Sequence, residues 1–343
     1  MAVTITDVAR RAGVSRSTVS YVLSGSRPIS TETRRRVEQA IEDLQFRPHA
    51  GARSIRSGRN GVIAMALPMV HGPHNQVQMP YVWAALTAAQ DLGFKMLMLT
   101  DDDGESAIRD SVTSSQVDGV MLMEVQRNDP RVALLGSLKC PAVLVGTPDD
   151  PARLPFADFD TALAGRLCAE HLLELGHRAV GYIGQSPAAF RRDVAYAVHA
   201  RDGAMTALRA ARARKAWTAC DGQPGDVVRA VDHLMAKIPG LSGLIVYNER
   251  ALPLVIDRLN GLGLRVPQDV SVIAICPDDE AERLHLSLTC ASLPVEDLAR
   301  TAVRLLAAQV NGETAASVTI LAPTLKVGDT TAPAPAKIPA SSS

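Results

Sequence analysis

Long apolar runs are missing from this chain: none approaches the roughly 18 residues that a membrane-spanning helix needs. The start, Met1-Ala2-Val3-Thr4-Ile5-Thr6-Asp7, shows no basic cap followed by an apolar stretch, so neither membrane insertion nor secretion is expected. The five cysteines, Cys140, Cys168, Cys220, Cys276 and Cys290, form no C-x-x-C pair and sit mostly among apolar neighbours, which suits structural thiols in a reducing cytoplasm. No P-loop, G-x-S-x-G elbow, H-E-x-x-H or dinucleotide glycine fingerprint occurs, so an enzyme and a bound cofactor are not expected. The His71-Gly72-Pro73-His74 pair lacks neighbouring Cys or clustered carboxylates and makes a poor metal site.

What remains is a water-soluble chain of 343 residues, 47% hydrophobic and 21% charged, long enough for two or three domains. Its net charge of zero hides an asymmetry. Through Gly61 there are eleven Lys/Arg against five Asp/Glu, a balance of +6, which leaves −6 for the remainder. A small basic head on an acidic body can bind polyanions through counterion release, although charge alone also fits a solvated basic face.

Spacing decides more. Thr4 offers a capping hydroxyl with Asp7 three positions on, and Ile5, Val8, Ala9 and Ala12 follow at helical spacing. Gly13 ends that helix, and Ser15 caps a second with Val19, Val22 and Leu23 inward and Arg16, Ser17, Thr18 and Tyr21 outward. After a loop at 24–28, Ser30 caps a third helix carrying Val37, Ala40, Ile41 and Leu44 on one face. Two short helices around a glycine turn make a helix-turn-helix, whose second helix enters the DNA major groove. Arg16, on its first turn, is the leading base-reading candidate because a guanidinium can bind guanine O6 and N7 together. Ser17 and Tyr21 are secondary candidates. Ser15, Ser30 and Thr33 are placed at phosphates, and Thr4 and Thr18 belong to the same face.

Residues 4–25, with Ser30-Thr31-Glu32-Thr33-Arg34 and Phe46-Arg47-Pro48, resemble the head of the LacI/GalR family of bacterial transcriptional repressors. That resemblance implies a hinge segment next, here 50–59, with Arg53 on DNA and Ile55 at the position of an apolar minor-groove wedge. Gly51 departs from the family's larger apolar residue and lowers the hinge's helicity; a plain flexible linker is the alternative.

From Gly61 onward, short apolar runs alternate with helical patterns: strands near 61–67, 95–99, 119–123, 142–145, 179–183, 215–219, 243–247 and 271–275. Helices are expected at 81–92, 105–115, around 134, and at 163–175, 204–211, 226–237, 251–262 and 293–310. Such alternation gives parallel sheets flanked by helices. The segments 176–184, 263–273 and 288–295 resemble the two-lobed periplasmic-binding-protein-like core of the same repressors. The fold class expected is therefore an all-α helix-turn-helix head with a two-lobed α/β core. The divisions expected are a head at 1–46, a hinge at 47–60, a core at 61–328 and a disordered tail at 329–343. Within the core, lobe 1 takes about 61–160 plus 292–325 and lobe 2 about 161–291.

The resemblance implies an effector in the cleft between lobes, with Asn248 a contact and Arg201 one position from the family's arginine. Gly146 and Cys276 stand where many sugar-responsive members carry aspartate, which points to an anionic or less hydroxyl-rich effector, a sugar phosphate or organic acid, with His71 and Arg201 as contacts. The function expected is a homodimeric repressor on a palindromic duplex operator, controlled by a sugar, sugar phosphate or organic acid. A periplasmic solute receptor would share the lobes but would need a signal peptide and no basic head.

Overall fold

The computed structural model describes residues 3–24, 27–46, 59–68, 75–101, 104–278, 287–314 and 317–336. Arg53, Ile55 and His71 lie outside them. The chain divides into two compact units, Met1–Gly61 and Val62–Ser343.

In the first unit, helix α1 (Ile5–Ala12) opens with a reciprocal cap: Asp7 Oδ2 accepts both the Thr4 backbone N–H at 3.0 Å and the Thr4 hydroxyl at 2.6 Å. Gly13 closes it at φ 65°, the left-handed conformation that glycine enters without steric cost. Helix α2 (Arg16–Ser24) and helix α3 (Thr31–Asp43) complete the unit. Val8, Ala9, Ala12, Val19, Val22, Val37, Ala40 and Phe46 form its apolar centre. Leu23, expected inward, is 37% exposed. Val19 and Val22 already occupy the buried stripe, and the next residue turns about 100° away from it.

The second unit carries two six-stranded sheets. One has the order β11-β5-β4-β3-β1-β2, built from β1 (Val62–Ala66), β2 (Lys95–Leu99), β3 (Gly119–Leu122), β4 (Ala142–Val145), β5 (Phe156–Phe159) and β11 (Val318–Leu321), all parallel. The other has the order β12-β10-β9-β8-β6-β7, from β6 (Ala179–Gly184), β7 (Arg214–Ala219), β8 (Gly243–Val246), β9 (Ser271–Pro277), β10 (Cys290–Leu293) and β12 (Thr324–Lys326). Only β12 among these runs antiparallel to its neighbour. The strands read as continuous apolar runs because helices cover both faces.

Around the first sheet pack α4 (Asn75–Asp91), α5 (Glu105–Thr113), α6 (Pro130–Leu138) and the returning α12 (Val295–Asn311). Around the second lie α7 (Thr161–Glu174), α8 (Pro187–Arg191), α9 (Ala195–Ala210), α10 (Pro224–Lys237) and α11 (Ala251–Gly261). The chain crosses between lobes three times, since β11 joins the first sheet and β12 the second. The expected single return at 292–325 is thereby corrected at both ends: β10 belongs to lobe 2, and so does β12.

A second correction concerns the tail. Residues 329–336 are strapped to lobe 2 rather than loose: Val272 donates to Thr330 O at 2.8 Å and Ala334 donates to Leu175 O at 2.8 Å. The Thr331 hydroxyl meets His171 Nε2 at 2.9 Å, and His177 Nε2 meets Ala332 O at 3.0 Å. Composition suggested disorder, but backbone pairing with β9 satisfies polar groups that an alanine- and proline-rich segment could not satisfy alone.

Candidate nucleic-acid face and ligand cavity

On the head, Ser15 Oγ accepts the Thr18 N–H at 3.1 Å and so caps α2. The Ser17 and Thr18 hydroxyls both turn to Ser15, at 2.7 and 2.9 Å. Ser30 caps α3 by accepting the Thr33 N–H at 3.3 Å and gives its proton to the Thr33 hydroxyl. These hydroxyls hold the helix starts open toward solvent, where N–H groups and the helix dipole favour an anion. Tyr21 is half-buried, with the Arg27 guanidinium 5.0 Å from its ring centre.

Arg16 is exposed on the first turn of α2 and has no acidic partner among the described residues. Arg10 and Arg11, by contrast, are paired with Asp7 at 3.2 Å and Asp43 at 2.8 Å. The helix thus presents one uncommitted guanidinium beside a short polar cluster, with Thr4 at the rim committed to Asp7.

In the second unit, a cavity opens between the two sheets at the carboxyl ends of their strands, where doubly wound sheets bind ligands. Lobe 1 supplies Gln78, Tyr81, Glu124, Gly146, Asp158 and Phe159; lobe 2 supplies Gln185, Tyr196, Tyr247 and Glu249. Tyr81 and Phe159 meet edge to face at 6.4 Å, as do Tyr196 and Tyr247 at 6.1 Å.

Glu124 stands in the left-handed region at φ 53°, strained for a side chain of this size. The strain is held from below by a buried pair: Arg131 Nη2 donates to Asp129 Oδ2 at 2.7 Å and to Glu124 O at 2.9 Å, with Arg131 2% exposed. Burial works against the Asp129 charge, but the Arg131 hydrogen bonds and charge outweigh it and hold the carboxyl below its ordinary range. Above, Glu124 Oε1 accepts from the Tyr196 hydroxyl at 3.0 Å and from Gln78 Nε2 at 3.2 Å. The same loop ties the lobes together, since Ala195 donates to Val125 O at 2.9 Å and Arg127 pairs with Asp193 at 2.9 Å.

Asp158 is 4% exposed, and burial pushes its carboxyl up to about 6, although the Thr147 hydroxyl at 2.8 Å and the Phe159 N–H at 2.8 Å support the charge. Burial first, and nearby carboxylates second, raise the Tyr81 phenol, so it stays a hydrogen-bond donor.

The effector residues that resemblance suggested fall elsewhere. Asn248 lies between cavity residues Tyr247 and Glu249 but is itself turned away: its amide donates to Cys220 O at 2.7 Å and its Oδ1 accepts the Ala251 N–H at 3.1 Å. It caps α11. Cys276 is packed in the lobe-2 core with Cys290, on the other side of the sheet from the ring cluster. Arg201 leans on lobe-2 aromatics, 4.7 Å from the Trp217 ring centre and 5.4 Å from that of Phe190, and pairs with Asp202 at 2.7 Å.

The expectation of an anion-friendly cleft is likewise corrected. Three carboxyl groups line the cavity, and no Lys, Arg or His among the described residues does. Gly146 explains part of the change: at φ 134°, a Cβ there would come within 2.9 Å of Val125, so no side chain fits. The neighbouring strand supplies Asp158 instead.

Residues 4–49 match the family described as bacterial regulatory proteins, lacI family, and residues 169–331 match the periplasmic binding protein-like domain. The chain carries a lacI-family regulatory head. Members of this family are DNA-binding transcriptional regulators. The HTH-type transcriptional regulator CelR of Thermobifida fusca is 28% identical, covering 93% of this chain and 95% of its own. Catabolite control protein A of Staphylococcus epidermidis is 23% identical, covering 94% and 97%. Among solved structures, a CelR–cellobiose complex matches with TM-score 0.68 and 26% identity over 96% of this chain and 99% of that one. The lac repressor dimer bound to operator and an anti-inducer matches with TM-score 0.81 and 22% identity over 97% and 100%, a likeness of fold.

Proposed function

We propose that this lacI-family chain is a cytoplasmic, non-enzymatic repressor that binds a two-fold operator as a homodimer and is switched by a small polyhydroxyl metabolite held between its lobes. Each head reads only a few base pairs, so two are needed for a specific site. In this reading Arg16 recognises a base edge. Ser17, Thr18 and Tyr21 support it, and Thr4, Ser15, Ser30 and Thr33 meet phosphates. Arg53 and Ile55 act in the hinge, and His71 is a candidate effector contact.

One observation carries the proposal: both lobes contribute to a single cavity, and a lobe-spanning hydrogen-bonded loop carries Glu124 into it. A ligand touching both walls has different contacts when the lobes reorient, which is the differential affinity that couples two sites. Carboxylates that accept hydroxyls and rings that stack on sugar faces support a sugar, as does the relative solved as a cellobiose complex.

Selection of bound fragments from random duplex DNA, with and without a metabolite panel, tests this reading. An enriched two-fold sequence whose recovery changes with a metabolite is expected, and the direction of change gives the sign. Recovery of no sequence above background would reject it.

A further inference from the structure

We propose that the ligand of this cavity carries a protonated amino group, as an amino sugar does, so that the effector is a cation rather than a neutral or anionic metabolite. The inference rests on the cavity being the effector site and names the class of its occupant.

The wall chemistry is one-sided. Glu124 reaches the cavity from the end of β3, Asp158 from β5 and Glu249 from the segment after β8, while no basic side chain among the described residues lines it. Arg192 pairs with Glu124 at 3.8 Å from outside the lining, which leaves Asp158 as the buried acid with no cation among the described residues. Arg201, which could have supplied a countercharge, is spent on Asp202 and the Trp217 and Phe190 rings.

Asp158 makes the need specific. It is 4% exposed, its oxygens are met by a hydroxyl and a backbone N–H, and no Lys, Arg or His among the described residues pairs with it. A buried carboxylate without a cation is unfavourable, and a bound ammonium completes the pair. The surrounding rings of Tyr81, Phe159, Tyr196 and Tyr247 offer the negative π faces that attract an ammonium. Among the described residues, no three His, Cys, Asp or Glu side chains come together closely enough to hold a metal ion. The geometry therefore suits a cation that brings its own hydrogen-bond donors, as an amine does.

Calorimetric titration of the full chain at pH 7 tests this with matched pairs: D-glucosamine against D-glucose, and the chitosan disaccharide against cellobiose. Putrescine separates a plain amine from an amino sugar, and glucose 6-phosphate is the anionic control. At least one amine should bind about tenfold or more tighter than its neutral partner, or, for putrescine, than any neutral or anionic member. In Asp158→Asn and Glu249→Gln the preference should shrink toward unity; being a ratio within one preparation, it does not depend on the fraction folded. A neutral sugar binding as tightly as its amine, glucose 6-phosphate binding tightest, or silence from every amine overturns the inference. Tight cellobiose with weak amines would leave the effector cavity standing and remove only the cationic ligand. The operator selection above judges the cavity's regulatory role separately.

Discussion

In the proposed reading, Arg16 is the residue that recognises a base edge. Replacing it with alanine should cost about 1–3 kcal/mol of preference for the selected operator over scrambled DNA, measured by fluorescence anisotropy at fixed salt. Affinity for the scrambled duplex should fall far less. At the other site, Asp158 imposes a pH dependence on stability. Its carboxyl holds a proton up to about 6 in the folded chain against 3.8 ordinarily, so the folded state binds more protons in between. Stability must then fall as pH rises from about 4 to about 6, by up to about 3 kcal/mol from this group. Urea unfolding of Asp158→Asn should show a flatter profile across that window than the parent chain. An unchanged profile would mean that Asp158 is not the titrating group.

Elements decide how precisely these residues stand. The buried Arg131–Asp129 pair fixes the loop after β3 and with it the strained Glu124. Arg131→Met leaves Asp129 buried without its cation and should lower stability by about 3–5 kcal/mol in urea unfolding. The pairing of this variant with Asp129→Asn should be milder. What was legible in the sequence follows the same logic. The head was readable because caps, glycine turn and apolar stripe all lie within a few turns of each residue. Eight strands were readable as apolar runs. Strand β5 was not, since Phe156-Ala157-Asp158-Phe159 is short, follows Pro155 and contains the acid that makes it functional. The start of α9 was also hidden, so Tyr196 stayed out of the expected site. Resemblance then pointed to Asn248, Arg201 and Cys276, which lie outside the cavity lining and here bond the first N–H of α11, stack on Trp217 and Phe190, and pack in the lobe-2 core. Cavity membership depends on which strands lie side by side, a relation between distant segments that local spacing does not encode.

Across the whole molecule, charge and connectivity divide the work. The +6 head favours a polyanion such as DNA, and the −6 body adds nothing to that attraction. The closing strap belongs to the body: deletion of residues 329–343 removes the hydrogen bonds to Val272, Leu175, His171 and His177. The truncated chain should melt several degrees lower by calorimetry, while its head should retain affinity for nonspecific DNA. Equal melting temperatures would show that the strap adds nothing to lobe 2.

The three crossings also set an order of events during synthesis. Lobe 1 cannot finish its sheet until β11 at Val318–Leu321 leaves the ribosome, long after β1 to β5 have emerged, and α12 must arrive to cover them. Until then one apolar face of a nascent sheet stands open, so this protein should lean on chaperones as it is made.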